Sequence, residues 1–151
     1  MVSESARMST AAEARFRVDK PNSRPRAVKV IALDSRAESE MASLAELDWN
    51  GAAFFRAAEL TRTPERLAEE IARADLVVML ATAGQPAADV EPIGQACSGR
   101  RVTTTGLILG SAQVSDEELS LTLSQIRPWA LMLVIASSID YVEDMLRALR
   151  A

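Results

Sequence analysis

Residues Ala74–Gly110 read ADLVVMLATAGQPAADVEPIGQACSGRRVTTTGLILG, and this stretch decides the fold. Its first apolar run, Leu76–Ala81, stops at Thr82-Ala83-Gly84. The run is apolar at odd and even positions alike, as in a strand buried on both faces. An amphipathic segment follows over Asp89–Ser98. Pro92 must lie in the first turn of that helix, because deeper it would remove a ladder bond, and Gly99 is placed to end it. A second β-rich run, Val102–Leu109, then leads to Gly110. Strand, turn, helix, strand is a βαβ unit, since parallel neighbours need a crossover of about this length.

The alternation continues in both directions. Ala27–Leu33 (AVKVIAL) is a β-branched apolar strand after Pro25. Asp34-Ser35 supplies an N-cap, with Glu38 three residues after Ser35 as the partner of a capping box, and the helix runs to about Leu47. Asn50-Gly51 turns the chain into Ala52–Ala57, where Arg56 and a modest apolar content mark an edge strand. Thr63-Pro64 places a cap before a first-turn proline, opening a helix to about Ala74 with Leu67 and Ile71 inward. Ser115-Asp116-Glu117-Glu118 is a further capping box, and its helix stops at about Ile126, before Pro128. Trp129 is expected to cover the end of the core, with an anchor for a partner as the alternative. Leu131–Ala136 (LMLVIA) is the last strand, and Ser138 caps a final helix, Ile139–Arg150, apolar at Val142, Met145, Leu146 and Leu149.

The expectation is a single α/β domain over residues 27–151, preceded by a flexible basic leader over residues 1–26. The (βα)₅ pattern predicts three layers: a doubly wound, mostly parallel five-stranded sheet with helices on both faces and right-handed crossovers. Order 2-1-3-4-5 is favoured, because strand two reads as an edge and strands one, three and four as central.

Composition narrows the chemistry. The 151 residues are 48% hydrophobic and 25% charged, enough for one domain with a real core. Residues 1–27 carry six Lys/Arg and three Asp/Glu, the rest eleven and eighteen, so the domain is near −7 and the leader near +3. An acidic domain argues against nucleic acid as its partner. There is no histidine, which removes imidazole acid–base catalysis and the commonest metal ligand. The single Cys97 excludes an intrachain disulfide and a thiolate cluster, and on a helix it reads as a small buried hydrophobe. No apolar run approaches the ~20 residues of a membrane span, and the start lacks a secretory apolar core of ~7–15 residues. A cytoplasmic protein is expected, with no membrane contact, cofactor or metal.

In a sheet of this topology ligands bind beyond the carboxyl ends of the strands. That rule selects Asp34 and Ser35 after strand one, Thr82, Gly84 and Gln85 after strand three, Ser111 after strand four and Ser137 after strand five as ligand-binding candidates. Known chemistries at this position are missing. The turn Leu33-Asp34-Ser35-Arg36 has no glycine for a dinucleotide pyrophosphate, no phosphate-loop motif occurs, and no nucleophile elbow is present. No catalytic residue is therefore assigned. Thr82–Gln85, ahead of a helix, remains a place where a small anion can meet backbone N–H groups.

Two family likenesses go with these segments. ADLVVML resembles the third strand of phospho-acceptor receiver domains, but Leu80, Ala81 and Thr82 stand where that family has its aspartate, and Ala136-Ser137-Ser138 offers no lysine. PERLAEEIARADLVVMLATAG, VTTTGLILG and ALMLVIAS, within Pro64–Ser137, resemble the nucleotide-binding half of the FtsZ/tubulin family. Where that family has its glycine-rich loop, this chain has Gly84-Gln85-Pro86-Ala87-Ala88-Asp89. The resemblance implies a related sheet topology.

Intact architecture without catalytic groups points to a binding or regulatory module that meets a protein partner or a second copy of itself. An accessory subunit tethered through the leader is a variant of this reading. The alternative is a protein or enzyme that binds a small anionic ligand, of nucleotide or phosphate type, at the strand ends.

Overall fold

In β3 (Leu76–Thr82) alternate side chains serve two separate cores. Val77, Met79 and Ala81 enter one apolar cluster, and Leu76, Val78 and Leu80 enter the other. Every residue of this strand is buried. Each large aliphatic so placed contributes about 1.5–3 kcal/mol relative to exposure, which makes the strand the energetic centre of the domain. The computed structural model describes residues 26–151. The leader expected over residues 1–26 lies, except for Arg26, outside the described residues.

Four more strands flank the centre: β1 (Val28–Ala32), β2 (Ala53–Arg56), β4 (Thr103–Leu109) and β5 (Met132–Ile135). The order is β2-β1-β3-β4-β5, all neighbours parallel, as the sequence pattern predicts. α1 (Ser35–Ala45) and α6 (Ile139–Ala148) cover one face, burying Ala37, Met41 and Leu44 with Val142 and Leu146. The other face carries α2 (Ala57–Arg62), α3 (Pro64–Ala72), α4 (Val90–Arg100) and α5 (Asp116–Ile126), which bury Leu60, Leu67, Ile71, Ile93, Cys97 and Ile126. Among the described residues no helix is long and apolar enough to cross a membrane.

Local chemistry differs from expectation at several points, among them Thr63 and Ser138, which precede α3 and α6 but make no side-chain capping hydrogen bond. The cap of α1 is Asp34, whose carboxylate accepts from Ala37 N at 2.8 Å, so Ser35 is the first helical residue rather than the cap. The second strand ends at Arg56, one residue early, and α2 begins at once with Ala57. Burial of Ala57 and Leu60 holds this short helix, which no turn residue announces. Helix α4 runs through Gly99 to Arg100, and Arg101 takes the left-handed position (φ 56°) in place of the glycine. Ser115 caps α5 as expected, accepting from Glu118 N at 3.2 Å.

Two glycines set the spacing on the α4–α5 face. A Cβ on Gly94 would lie 2.6 Å from Trp129, so its absence lets the side chain pack directly against α4. A Cβ on Gly106 would lie 2.5 Å from Leu133 and 2.9 Å from Ile126, so β4 is bare where β5 and α5 close over it.

Candidate functional site at the carboxyl ends of the strands

The β3–α4 turn, where an anion would have to sit, is already full of hydrogen bonds. Thr82 N donates to Asp34 Oδ2 at 2.7 Å, and the Thr82 hydroxyl donates to Asp34 Oδ1 at 3.0 Å. Ala83 N donates to Leu109 O at 2.8 Å, and Gln85 N to Thr82 O at 3.1 Å. Gly84 N donates to the Thr122 hydroxyl at 2.9 Å. Gly84 has φ 85°, so the turn needs a residue without Cβ, but its N–H points into α5 rather than toward a phosphate. An anion cradle works by presenting unpaired N–H groups. All four from Thr82 to Gln85 are taken.

Asp34 therefore has a structural assignment. It caps α1 and holds the end of β3 through three hydrogen bonds. A carboxylate with three donors has little capacity left for a metal or a substrate. Ser35 is exposed on the first turn of α1 and lines neither strand-end cleft.

The remaining candidates divide between two clefts. One, of about 260 Å³, lies over the ends of β3, β4 and β5 and is lined by Thr82, Gly110, Ser137 and Ser138 with Arg36, Gln113 and Glu40. The other, of about 190 Å³, lies between the β3–α4 turn and α5 and holds Gly84 and Gln85 beside Glu118, Leu121, Thr122 and Gln125. Ser111 opens a short 3-10 turn after β4 and lines neither. Thus Thr82 and Ser137 line one cleft, and Gly84 and Gln85 line the other. Arg36, Gln113 and Glu40 were absent from the sequence candidates. Arg36 follows directly on the Asp34-Ser35 cap, and its guanidinium reaches Gln113 Oε1 at 3.5 Å across the cleft mouth.

The chemistry available in either cleft is slight. Among the described residues no group of three His, Cys, Asp or Glu is arranged to hold a metal. Cys97 is buried in α4, and burial pushes its thiol up to about 11, so at neutral pH it is a protonated packing group. The larger cleft offers one guanidinium, three hydroxyls and an opposing carboxylate, Glu40. That set can hydrogen-bond a small polar molecule but contains no base and activated nucleophile in contact.

No protein-family model matches this sequence, and none of the curated proteins matches it.

The largest chemical anomaly lies along the β5 edge of the sheet. Trp129–Ala136 contains no charged residue, yet β5 is an edge strand. Leu131 is 81% exposed, Met132 55% and Ile135 49%, and Leu121 on α5 is 65% exposed. An apolar edge strand with unpaired main-chain groups is a template for pairing, and sequences normally blunt it with charge, proline or a covering element.

Proposed function

We propose that this chain is a non-catalytic binding or regulatory module that acts through protein–protein contact. The observation that carries the reading is the open apolar edge at Leu131, Met132 and Ile135. Lone apolar residues are ordinary on surfaces, but a run of them along an unpaired strand is a contact surface. The filled turn at Thr82–Gln85 supports it from the other side, because the place where this topology holds phosphates has no free donors. The acidic domain and its buried thiol fit a cytoplasmic module whose partner is protein rather than nucleic acid.

A second reading rests on the cleft at Arg36, Thr82, Ser137 and Ser138, which has the size and donors for a small anionic ligand. Glu40 in the same lining opposes it electrostatically. A thermal-shift panel of nucleotides, phosphosugars and acyl-CoAs separates the two. A ligand at 100 times its Kd adds about 2.7 kcal/mol to the folded state, a shift of several degrees for a domain of this size. The contact reading expects no member of the panel to raise the Tm. A clear rise that Arg36→Ala abolishes would move the function into the cleft.

A further inference from the structure

We propose that the β5 edge is the interface of a two-fold homodimer, in which two β5 strands pair antiparallel and join two sheets into one; this rests on the contact reading above and names the partner. The strand's own hydrogen bonds set the geometry. Ala136 N donates to Ile108 O at 2.9 Å, and Ile135 lies beside Ile108 in the parallel register. Strand residues alternate, so the main-chain groups of Met132 and Val134 share Ala136's direction toward β4, and those of Leu133 and Ile135 face outward. Leu131 N is held by Thr104 O at 2.9 Å, and because the Met132 N–H of the next peptide faces β4, the Leu131 carbonyl opposite it points outward as an acceptor.

A two-fold axis perpendicular to the sheet keeps each face on its own side, so residues opposite one another must share parity. Centring the axis on Leu133 places Leu133 opposite its own copy and Leu131 opposite Ile135 of the second copy. Leu133 N–H then donates to the Leu133 carbonyl across the axis, and Ile135 N–H donates to the Leu131 carbonyl, so every outward N–H of both strands finds an acceptor. The two exposed side chains meet as a cross-strand apolar pair, on both sides of the axis. Moving the axis one residue to Val134 would set Leu131, 81% exposed, against Ser137 instead.

Charge on α5 selects a second copy over other occupants. Gln85 and Pro86 share a cleft with Glu118, Leu121, Thr122 and Gln125, so that flank of α5 faces the β3–α4 turn. The opposite flank, at helical spacing, carries Asp116, Ser120 and Ser124 and ends at Arg127, all exposed. The two-fold sets the α5 helices of the copies antiparallel on one face. The acidic start of each then faces Arg127 of the other, with only serines between. Polarity along this flank is self-complementary under that rotation and under no parallel arrangement.

Sedimentation equilibrium of the full chain tests the proposal. The wild type is expected to pass from 16.3 kDa to twice that mass with rising concentration. Ile135→Lys and Leu131→Glu, both at exposed positions, should each weaken dimerisation at least tenfold and leave the circular dichroism spectrum and urea midpoint of the monomer unchanged. The double variant Leu131→Glu with Ile135→Lys places each glutamate opposite a lysine of the second copy and should recover most of the loss. A wild type that stays monomeric at every concentration overturns the dimer, and if the ligand panel is also blank it does so without touching the contact reading. A dimer indifferent to either single change places the interface elsewhere, and a double variant no better than Ile135→Lys overturns the register.

Discussion

The two edges of the sheet are built to opposite rules. At β2, charge and aromatic rings flank the edge. Arg56 ends the strand, the Lys29 ammonium and the Arg66 guanidinium lie 5.7 and 5.8 Å from the Phe55 ring centroid, and Arg147 stacks 4.1 Å over Trp49, which itself packs on Phe54. Lys29 is further paired with Glu70 at 3.0 Å, its side chain 11% exposed. At β5 the strand itself carries no charge, among the described residues no ion pair or cation–ring contact lies on it, and Met132 and Ile135, with Leu131 just before the strand, reach solvent. The β2 edge is flanked by cation–ring contacts and an ion pair, whereas the β5 edge presents apolar side chains to solvent. A strand left open in this way is a template for pairing with another chain.

Truncations on the two sides measure this contrast most strongly. Leu60→Ala, in the helix that follows β2 and fully buried, should cost about 2–5 kcal/mol, whereas Leu131→Ala in dilute solution should stay within about 0.5 kcal/mol; urea unfolding of both reads the difference. Equal costs would mean that β5 is covered after all. Next in size is Glu70→Gln. It strips the charged partner from a nearly buried Lys29 and should cost about 1.5–3 kcal/mol by the same measurement. A neutral result would reduce the flanking of β2 to its rings. Arg66→Ala is smaller, about 0.5–1 kcal/mol, and in a double-mutant cycle with Phe55→Leu the coupling should account for most of it. The smallest effect is expected from Met132→Lys, within about 0.5 kcal/mol in the dilute monomer, because its side chain already meets water. The sequence would then tolerate at β5 the very charge that β2 uses.

How much of this was readable in advance follows from what each signal depends on. Strand order came from local patterns, since β3 is apolar at both parities and Arg56 breaks β2, and these decide centre against edge without any long-range information. Ser115 as a cap was readable for the same reason: its partner, Glu118 N, is three residues away. Helix α2 was missed because six residues carry too little periodicity, and it is held by Leu60 in the core rather than by its own propensity. The role of Asp34 was half readable. Its bond to Ala37 N is local, but its bonds to Thr82 span 48 positions, and no spacing rule reaches across them. The grouping of the candidate residues is no more legible locally: Thr82 and Gly84 are two positions apart in the chain but line different clefts. LMLVIA looked like any buried strand. Hydropathy says which side chains can be buried, and not whether the fold leaves anything to bury them against.

The Asp34 carboxylate also orders events in time. Its grip on Ala37 N needs only one turn of α1 and is available to an isolated segment, while its grip on Thr82 waits until β3 has docked beside β1, after a loop containing α1, β2, α2 and α3 has closed. Closing such a loop is the slow, entropically costly part of assembling a parallel sheet. One side chain thus belongs both to an early, local step and to a late, global one, and the end of β3 is secured only when the two have been brought together.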